Sequence, residues 1–375
     1  MRVANQYSYF VKDPTLPRYG TDCIVEGHIP VMKVLIAGLG GIGQRHVRNL
    51  RRLLGNEVEI SAYRVRQLDH TLSDALEIEP DADVVQKYAI KTFNSLDEAL
   101  AEQPDAVFVC NPSSLHLQVA LASAEARCHL FIEKPLSHDY EKVDELISLV
   151  EQQDLNALVG YQMRFHPTLL QLRTLLMDRA VGRVLSVIAE VGEFLPGWHK
   201  YEDYRSLYAS RADLGGGVVL SQSHELDYLY WLFGVPRRVF ALGGHLSNLE
   251  IDVEDVASEL LEFEVDGQIV PVQLHQDYLQ RPPTRSCKVI GEAGRIIADF
   301  TEPALRFVDV DGEVTETKQT EFQRYQLFMD ELSHFVACIE GKAKPLVTLR
   351  DGAQSLRMAL AIKESMATGK VVELQ

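Results

Sequence analysis

The chain has 375 residues, of which 46% are hydrophobic and 24% are charged, and its formal net charge is −17. This length favours two domains over a single core, and the composition is that of a soluble globular protein. The negative charge repels nucleic acid and anionic membrane surfaces, so we expect neither as a partner. The sequence contains no apolar run as long as a membrane span and no recognisable secretory signal, which predicts a cytoplasmic location.

The five cysteines are widely scattered, and no C-x-x-C pair occurs among them. This spacing argues against a disulfide framework and against a zinc site, and it suits a reducing compartment. We therefore predict no metal centre. The cysteines are Cys23, Cys110, Cys128, Cys287 and Cys338.

Residues 1–31 are polar, contain three prolines and show no periodicity, and they are interpreted as an N-terminal extension. Beyond them, short apolar runs alternate with helical patterns, which predicts a parallel doubly wound sheet, a Rossmann domain over residues 32–155. Such sheets bind ligands at the carboxyl ends of their strands. The predicted strands are 33–37, 58–63, 88–93, 106–110, 129–132 and 157–161, and the helices between them include 95–102, 115–126 and 140–151.

The first predicted strand runs directly into Gly38-x-Gly40-x-x-Gly43, and an amphipathic helix follows at once. Gly38 permits the tight turn, Gly40 lets the backbone approach a pyrophosphate, and Gly43 lets the helix pack closely on the strand. The helix N-terminus presents N–H groups to the phosphates, so Gly41 and Ile42 are predicted cofactor contacts as well. A strand before the glycines and a helix after them are the context in which this motif indicates dinucleotide binding.

The second predicted strand ends at Tyr63-Arg64-Val-Arg66. An NAD-preferring site usually carries Asp or Glu here, about 20 residues past the glycines, to bind the ribose 2′-OH. No carboxylate is present in this stretch, and two guanidinium groups can hold a 2′-phosphate bidentately. We therefore predict NADP(H) with Arg64 as a binding residue. NAD(H) is the alternative, in which both arginines face solvent.

Polar residues also follow the other strand ends, where one pocket can collect them. An ammonium group at the end of strand 129–132, that of Lys134, can hydrogen-bond a substrate hydroxyl and stabilise the alkoxide that forms as hydride leaves. Glu133 beside it can orient it, although a surface Glu-Lys pair gives the same pattern. His116, one helical turn past the strand 106–110, can cap its helix or contact the cofactor. The predicted cofactor-binding residues at these strand ends are Asn111, Pro112, His116, Glu133, Lys134 and Gln162.

From residue 184 the pattern changes to long strand-like segments, at 184–194, 238–242 and 257–265, with hairpin turns predicted at 266–267 and 311–312. Residues 156–375 are therefore predicted to form an α+β domain with a mainly antiparallel sheet. Helices are predicted within this region at 169–176, 221–233 and 354–367.

His224 lies in the helix predicted over 221–233, on a face shared with Asp227, Tyr228 and Trp231. If this face opens toward a cleft, the imidazole can take a substrate proton near neutral pH. A structural histidine, bonded to Asp227 and packed on Trp231, is the alternative. Upstream, the polar and aromatic segment 198–211 suits either a sugar ring or an ordinary interface.

Taken together, these motifs resemble the glucose–fructose oxidoreductase / inositol dehydrogenase / MocA (Gfo/Idh/MocA) family over about residues 32–372. The resemblance implies a Rossmann domain joined to an open-faced sheet domain that commonly mediates oligomers, so we expect a homodimer or homotetramer. It also implies reversible hydride transfer at a sugar, cyclitol or related carbon. The motifs are Gly38-x-Gly40-x-x-Gly43, Asn111-Pro112 with His116, Glu133-Lys134-Pro135, Gly160-Tyr-Gln162-x-Arg164-Phe, Gly215-Gly-Gly217 and His224-Glu-Leu-Asp227.

In the family, the residues that match Lys134 and His224 contact the reacting hydroxyl, so the resemblance assigns both as catalytic. It also implies that the segment Glu133-Lys134-Pro135 lines the nicotinamide and that its Lys–Pro bond is cis. Many members carry Asp three or four residues before the histidine, where this chain has Ser221 and Leu220. Either Ser221 binds the substrate more weakly than that Asp does, or the proton relay that the Asp provides is absent.

The leading hypothesis is an NADP(H)-dependent oxidoreductase that acts on a sugar or nucleotide sugar. One alternative is a catalytically inactive dinucleotide-binding sensor or regulator on the same fold. Another is a reductase for an imine or a conjugated double bond, which needs little acid/base chemistry. The predicted substrate-binding residues are Arg164, Asp203, Tyr204, Arg205, Ser221 and His224.

Overall fold

The computed structural model describes residues 31–64, 70–74, 76–80 and 82–374. The predicted N-terminal extension up to residue 30 and the predicted cofactor contact Arg66 lie outside these residues. The described chain forms two large sheets, each with helices packed on it, and one two-stranded hairpin. Within the described residues, no helix is both long enough and apolar enough to span a membrane.

The first sheet belongs to the N-terminal part of the chain. Its elements, in chain order, are β1 (Met32–Ala37), α1 (Gly41–Leu54), β2 (Val58–Tyr63), β3 (Thr71–Leu72), β4 (Ile78–Glu79), α2 (Val84–Lys87), β5 (Lys91–Phe93), α3 (Leu96–Leu100), β6 (Ala106–Val109), α4 (His116–Glu125), β7 (His129–Ile132), α5 (Val143–Gln152) and β8 (Ala157–Val159). Six of the strands pair in the order β5-β2-β1-β6-β7-β8, and every pairing is parallel. Strands β3 and β4 form a separate hairpin. This is the predicted doubly wound sheet, and its strand order reverses between β1 and β6, where such folds bind ligands.

Both faces of this sheet are covered by helices, and its central strands are buried and mainly apolar. Along β1, Leu35 and Ala37 lie in a core with α4 and α5, whereas Val34 and Ile36 lie in a second core with α1. This alternation places apolar residues on both faces, as expected for a parallel sheet between two helix layers.

The second sheet has nine strands. The remaining elements are α6 (Pro167–Met177), β9 (Val184–Gly192), α7 (Val218–Ser221), α8 (His224–Phe233), β10 (Arg238–Gly244), β11 (Val256–Val265), β12 (Gln268–Asp277), β13 (Thr284–Gly291), β14 (Gly294–Asp299), β15 (Ala304–Asp309), β16 (Val314–Lys318), α9 (Arg324–Ile339), α10 (Leu349–Thr368) and β17 (Val372–Glu373). The order is β16-β15-β14-β13-β9-β12-β11-β10-β17. Only β9 and β12 pair in parallel. The predicted mainly antiparallel sheet is therefore present.

The structure differs from the predicted domain boundary after residue 155. Strand β8 belongs to the Rossmann sheet, where Ala157 pairs with Leu130 of β7. Helix α9, which the sequence analysis did not predict, returns to the first domain and buries Leu332 and Phe335 in the core beneath α1. The ring of Phe335 meets that of Phe108 edge-on, with centroids 5.6 Å apart.

The helix predicted over 221–233 corresponds to α8, which begins at His224, whereas Ser221 is the last residue of the preceding helix α7. Gln222 and Ser223 separate the two helices. The Gln222 side chain donates to the Asp277 carbonyl over 2.8 Å, and the Gln276 side chain donates to the Gln222 carbonyl over 2.7 Å. The Gln276 side chain thus satisfies a carbonyl that a continuous helix would have paired internally, so the chain can break here. The predicted end at Gly234 is present, with φ +85°.

A buried ion pair joins the end of the Rossmann sheet to helix α8. Arg164, in the short 3-10 turn after β8, donates from Nε to Asp227 Oδ2 over 2.9 Å and from Nη2 to Oδ1 over 2.7 Å. Its Nη1 donates to the Leu346 carbonyl over 3.1 Å. The arginine side chain is 2% exposed and the carboxylate is completely buried. The bidentate geometry compensates for removing both charges from water.

We expect Arg164→Met to destabilise the protein strongly, because it leaves the Asp227 carboxylate buried without its partner. Removing one member of a buried pair typically costs about 3–5 kcal/mol. Arg179→Met is the matched control, since the Arg179–Asp266 pair is 73% and 60% exposed and such pairs contribute little. Urea unfolding of both variants measures the difference, and equal stability losses would contradict a dominant role for the buried pair.

Candidate active site

The ends of β1 and β6 lie against each other at the carboxyl edge of the Rossmann sheet. Gly38 has φ +106°, and a Cβ at this position would lie 2.9 Å from the Asn111 backbone nitrogen. Any larger residue would force the two strand ends apart. The Asn111 Oδ1 atom is buried and makes no hydrogen bond within the described chain. An unpaired buried amide oxygen at this edge is a group that a ligand can satisfy.

The glycine turn leaves space where a dinucleotide phosphate would bind. Helix α1 begins at Gly41, and its N-cap, Gly40, provides no side-chain hydrogen bond to the exposed N–H groups. A Cβ on Gly40 would meet no atom within 4 Å, whereas a Cβ on Gly43 would lie 1.9 Å from the Gly38 carbonyl oxygen. Gly43 is thus required for packing, and the open volume at Gly40, with Ile42 in the first helical turn, fits a pyrophosphate.

Tyr201, which lies in the polar and aromatic segment 198–211 but was not among the predicted site residues, reaches this glycine turn from the second domain. A Cβ on Gly41 would lie 2.5 Å from the Tyr201 hydroxyl oxygen. The ring stacks on His199 at 5.2 Å and meets His70 edge-on at 5.6 Å. Burial raises the pKa of the Tyr201 hydroxyl, which therefore stays protonated and able to donate. The segment around Tyr201 covers the N-terminus of α1.

Lys134 and His224, which come from different domains, both lie at the junction between α7 and α8. Lys134 Nζ donates to the Ser221 carbonyl over 2.6 Å, at the end of α7, and His224 is the first residue of α8. Burial lowers the pKa of His224 far below its usual value, and the cations Lys134, Arg285 and Arg324 lower it further. The imidazole is therefore neutral at neutral pH and can accept a proton. Its Nδ1 is buried and has no hydrogen-bond partner among the described residues.

The sequence left open that His224 is a structural histidine bonded to Asp227. The surroundings of His224 do not match that alternative. Asp227 is engaged by Arg164 and not by the imidazole. The His224 ring instead meets Tyr161 edge-on, with centroids 5.6 Å apart, and the Tyr161 hydroxyl donates to Ser223 Oγ over 3.3 Å. His224 thus has aromatic support but no carboxylate that fixes its tautomer.

Glu133 does not orient Lys134, as the sequence suggested it could. Its Oε1 lies 2.7 Å from His46 Nε2 of α1. The His46 ring is buried against Phe108 and Phe131, at centroid distances of 5.1 and 4.8 Å. This hydrogen bond ties the end of β7 to helix α1, so Glu133 positions the backbone next to Lys134 rather than its ammonium group.

His116 binds backbone rather than pointing into open space. Its Nδ1 lies 2.8 Å from the Pro135 carbonyl oxygen and its Nε2 lies 2.9 Å from the Asn111 carbonyl oxygen. The ring is buried, and burial lowers its pKa. The neutral ring donates to one of these two carbonyls, depending on its tautomer, and lies between two strand ends that carry predicted site residues. The Lys134–Pro135 bond is cis, as the resemblance implies.

The other predicted site residues are spread more widely. Pro112 precedes a 3-10 turn in which Ser113 Oγ donates to the Gly215 carbonyl over 3.2 Å, so this strand end contacts the second domain. Gln162 is half-buried in the turn after β8. Arg64 follows β2 directly, and its N–H donates to the Phe93 carbonyl over 3.0 Å.

The predicted substrate contacts do not all meet in the cleft. The Arg164 guanidinium is occupied by the buried pair described above. Arg205 forms exposed ion pairs with Asp203 and Glu250, and the Tyr204 hydroxyl accepts from the Glu250 N–H over 3.2 Å. Ser221 holds Lys134 through its carbonyl, while its own hydroxyl is buried with no hydrogen bond to any described residue.

Two models of one family match this chain. Residues 32–161 match the description "Oxidoreductase family, NAD-binding Rossmann fold", and residues 182–374 match "Oxidoreductase family, C-terminal alpha/beta domain". The chain therefore belongs to the Gfo/Idh/MocA oxidoreductase family. This confirms the predicted family, the predicted two-domain fold class and the prediction that the protein is an oxidoreductase.

Individual relatives agree with this assignment. The chain is 26% identical to a myo-inositol 2-dehydrogenase of Thermotoga maritima, with 92% of this chain and 99% of the relative covered. It is 27% identical to a D-xylose 1-dehydrogenase (NADP(+)) of Haloferax volcanii, with 90% and 98% covered. In fold it is similar to the WlbA dehydrogenase of Bordetella pertussis, solved with NADH and UDP-GlcNAcA, with a TM-score of 0.73, 22% identity, and 92% and 99% of the two chains covered.

Two substitutions in the glycine turn distinguish a glycine needed for folding from a glycine needed for cofactor binding. Gly43→Ala should lower the melting temperature, because the new methyl group lies 1.9 Å from the Gly38 carbonyl oxygen. Gly40→Ala should fold nearly as well as the wild type but bind NADH and NADPH less tightly, because its methyl group occupies the phosphate space. Thermal unfolding and calorimetric titration measure the two effects. Wild-type cofactor affinity in Gly40→Ala would contradict the placement of the pyrophosphate.

Proposed function

We propose that this protein is an NAD(P)-dependent dehydrogenase or reductase acting on a CH–OH group of a sugar, nucleotide sugar or cyclitol, with Lys134 and His224 as its catalytic residues. The observation that carries the proposal is the convergence of an ammonium group and a neutral imidazole in the cleft between the domains. Lys134 is held by the Ser221 carbonyl, three residues before His224. The related myo-inositol and D-xylose dehydrogenases support this substrate class.

The charge states of these two residues suit alcohol oxidation. A bound nicotinamide dinucleotide supplies the hydride acceptor or donor. The Lys134 ammonium can donate a hydrogen bond to the substrate oxygen and stabilise negative charge on it as the hydride leaves carbon. Neutral His224 can accept the hydroxyl proton, and in the reverse direction the protonated ring returns it. Both groups are held by backbone and packing contacts rather than by a carboxylate relay.

The residues at the strand ends fit a dinucleotide. The open volume at Gly40 and the uncapped N-terminus of α1 would hold the pyrophosphate. The unpaired Asn111 Oδ1 provides an acceptor at the neighbouring strand end. The cis segment Lys134–Pro135 and half-buried Gln162 would line the nicotinamide side.

We expect Lys134→Met to abolish turnover while leaving cofactor affinity nearly unchanged, because the ammonium acts on the substrate oxygen and not on the dinucleotide. His224→Asn should lower kcat in the same way. A screen of sugars, cyclitols and nucleotide sugars with NAD+ and NADP+ identifies a substrate, and calorimetric titration of NADPH checks binding in each variant. Unchanged turnover in Lys134→Met would overturn the mechanism. Turnover of imines or conjugated double bonds, without turnover of any sugar or cyclitol, would favour the alternative of an imine or double-bond reductase.

The preferred cofactor is a further part of the proposal. Arg64 takes the position after β2 where an NAD-preferring site carries a carboxylate, so we propose a preference for NADP(H). Both cofactor types occur among the similar proteins, since the name of the Haloferax volcanii enzyme includes NADP(+) and the Bordetella pertussis structure contains NADH.

Arg64→Ala should weaken NADPH binding by about 10-fold or more, because a charge-assisted contact with the 2′-phosphate contributes about 1.5–3 kcal/mol. NADH binding should change little, since NADH has no 2′-phosphate. Calorimetric titration of both cofactors into nucleotide-stripped protein makes the comparison. Equal or tighter NADH binding by the wild type would remove the NADP assignment.

We also propose a cytoplasmic homodimer or homotetramer. The face of the nine-stranded sheet that carries Leu242 and Leu260 leaves both side chains more than half exposed, at 62% and 58%. An apolar patch on an open sheet face supports contact with a second copy.

A further inference from the structure

Tyr201 lies at the N-terminal end of helix α1, although it belongs to the irregular segment between β9 and α7. A Cβ on Gly41, the first residue of α1, would lie 2.5 Å from the Tyr201 hydroxyl oxygen and 3.6 Å from its Cζ atom. Because Cα–Cβ bonds in a helix tilt toward the helix N-terminus, that Cβ would point toward the end of α1 where Gly40 lies. The hydroxyl group is therefore beside the end of the helix that would bind a phosphate.

The segment that leads into β3 borders the same end of α1. Gln44 of α1 donates from Nε2 to the carbonyl oxygens of Leu39 and His70, over 3.3 and 3.1 Å, and its Oε1 accepts from the Leu72 N–H over 2.8 Å. These bonds fix His70 beside the glycine turn. The His70 ring meets the Tyr201 ring edge-on, with centroids 5.6 Å apart, and its buried Nε2 has no hydrogen-bond partner in the described chain. An unpaired ring nitrogen next to the hydroxyl is a second polar group that a ligand can satisfy.

The Tyr201 side chain is already held in this place before any ligand binds. Its ring stacks on the His199 ring, with centroids 5.2 Å apart and 17° between the planes. Burial raises the pKa of the hydroxyl, and the neighbouring Glu202 carboxylate raises it further, so the group keeps its proton at neutral pH. A fixed hydroxyl donor complements the free N–H groups at a helix N-terminus, which favour an anion at the same point.

We propose that Tyr201 is a cofactor-binding residue contributed by the second domain, and that its hydroxyl donates a hydrogen bond to the pyrophosphate of the dinucleotide. Hydrogen bonds to an ionised acceptor are stronger than those between neutral groups, so one hydroxyl makes a measurable difference to affinity. The complete cofactor pocket then requires both domains, because the Rossmann domain alone lacks this donor. This inference rests on the proposed function, since it takes the glycine turn to be the dinucleotide site.

Tyr201→Phe tests the hydroxyl alone, because it keeps the ring that packs on His70 and His199. It should weaken binding of NADPH and NADH by about 10- to 100-fold, the loss expected for a hydrogen bond to a charged group. ADP-ribose, which has the pyrophosphate but no nicotinamide, should lose affinity by the same factor. Adenosine, which has no phosphate, should bind equally to both proteins. Calorimetric titration into nucleotide-stripped full-length protein measures these affinities, with adenosine measured by competition against NADPH.

Tyr140→Phe is the matched control, because it removes a tyrosine hydroxyl that lies away from the glycine turn. The Tyr140 hydroxyl donates to Asp144 over 3.0 Å at the surface, and its loss should leave the affinities for all four ligands unchanged.

Gly41→Ala tests the same contact from the helix. Its methyl group would meet the Tyr201 hydroxyl at 2.5 Å, whereas the nearest ring carbon, at 3.6 Å, is at an ordinary contact distance. The substitution should therefore displace the hydroxyl and weaken NADPH binding in the wild-type background. In the Tyr201→Phe background, where the hydroxyl is absent, it should cause little further loss.

Unchanged affinity for NADPH and ADP-ribose in Tyr201→Phe would overturn the proposal and leave the oxidoreductase function intact. An equal loss for adenosine would overturn it too, because a purely structural role weakens every ligand alike. Fully additive losses in the double variant would show that the hydroxyl and Gly41 act on different groups, which also contradicts the proposed contact. Failure of the wild type to bind any dinucleotide would remove the proposed function together with this inference.

Discussion

The bidentate ion pair between Arg164 and Asp227 is the interaction on which the geometry of the cleft depends. It joins the turn after the last Rossmann strand to α8, the helix that begins at His224. Since both charges are removed from water, the pair is stable only when its geometry is complete. The position of the imidazole relative to Lys134, at the end of a neighbouring strand, is therefore held by a contact that tolerates little movement.

Close approach between the two domains also restricts how they can move relative to each other. The triple-glycine segment lets the second domain lie directly on the strand ends, where a Cβ on Gly215 would be 2.6 Å from the Cβ of His138. Tyr201 from the same domain covers the glycine turn at Gly41. The glycine turn and the strand ends that carry the proposed catalytic residues are therefore both in contact with the second domain.

The charges that act on His224 are positive, whereas the molecule as a whole carries a net negative charge. The surface carries the excess of carboxylates that makes the chain acidic, while the charged groups that act on His224 are all cations. Burial and these charges lower the pKa of the imidazole, which supports its proposed role as a base without a carboxylate partner.

The sequence by itself determined the family, the order of strands and helices in the first domain, and the candidates Lys134 and His224, because local spacing and strand ends carry that information. Tertiary structure decided which side chains pair with one another. Glu133 pairs with His46 across 87 positions, and Arg164 pairs with Asp227 across 63. Helix α9 carries a helical apolar spacing at Phe328, Leu332 and Phe335 that the sequence analysis did not use. Tyr201 reached the glycine turn through a long irregular segment without periodicity. Such contacts depend on how distant elements pack, and hydrophobic periodicity in one segment does not specify which polar groups it will meet.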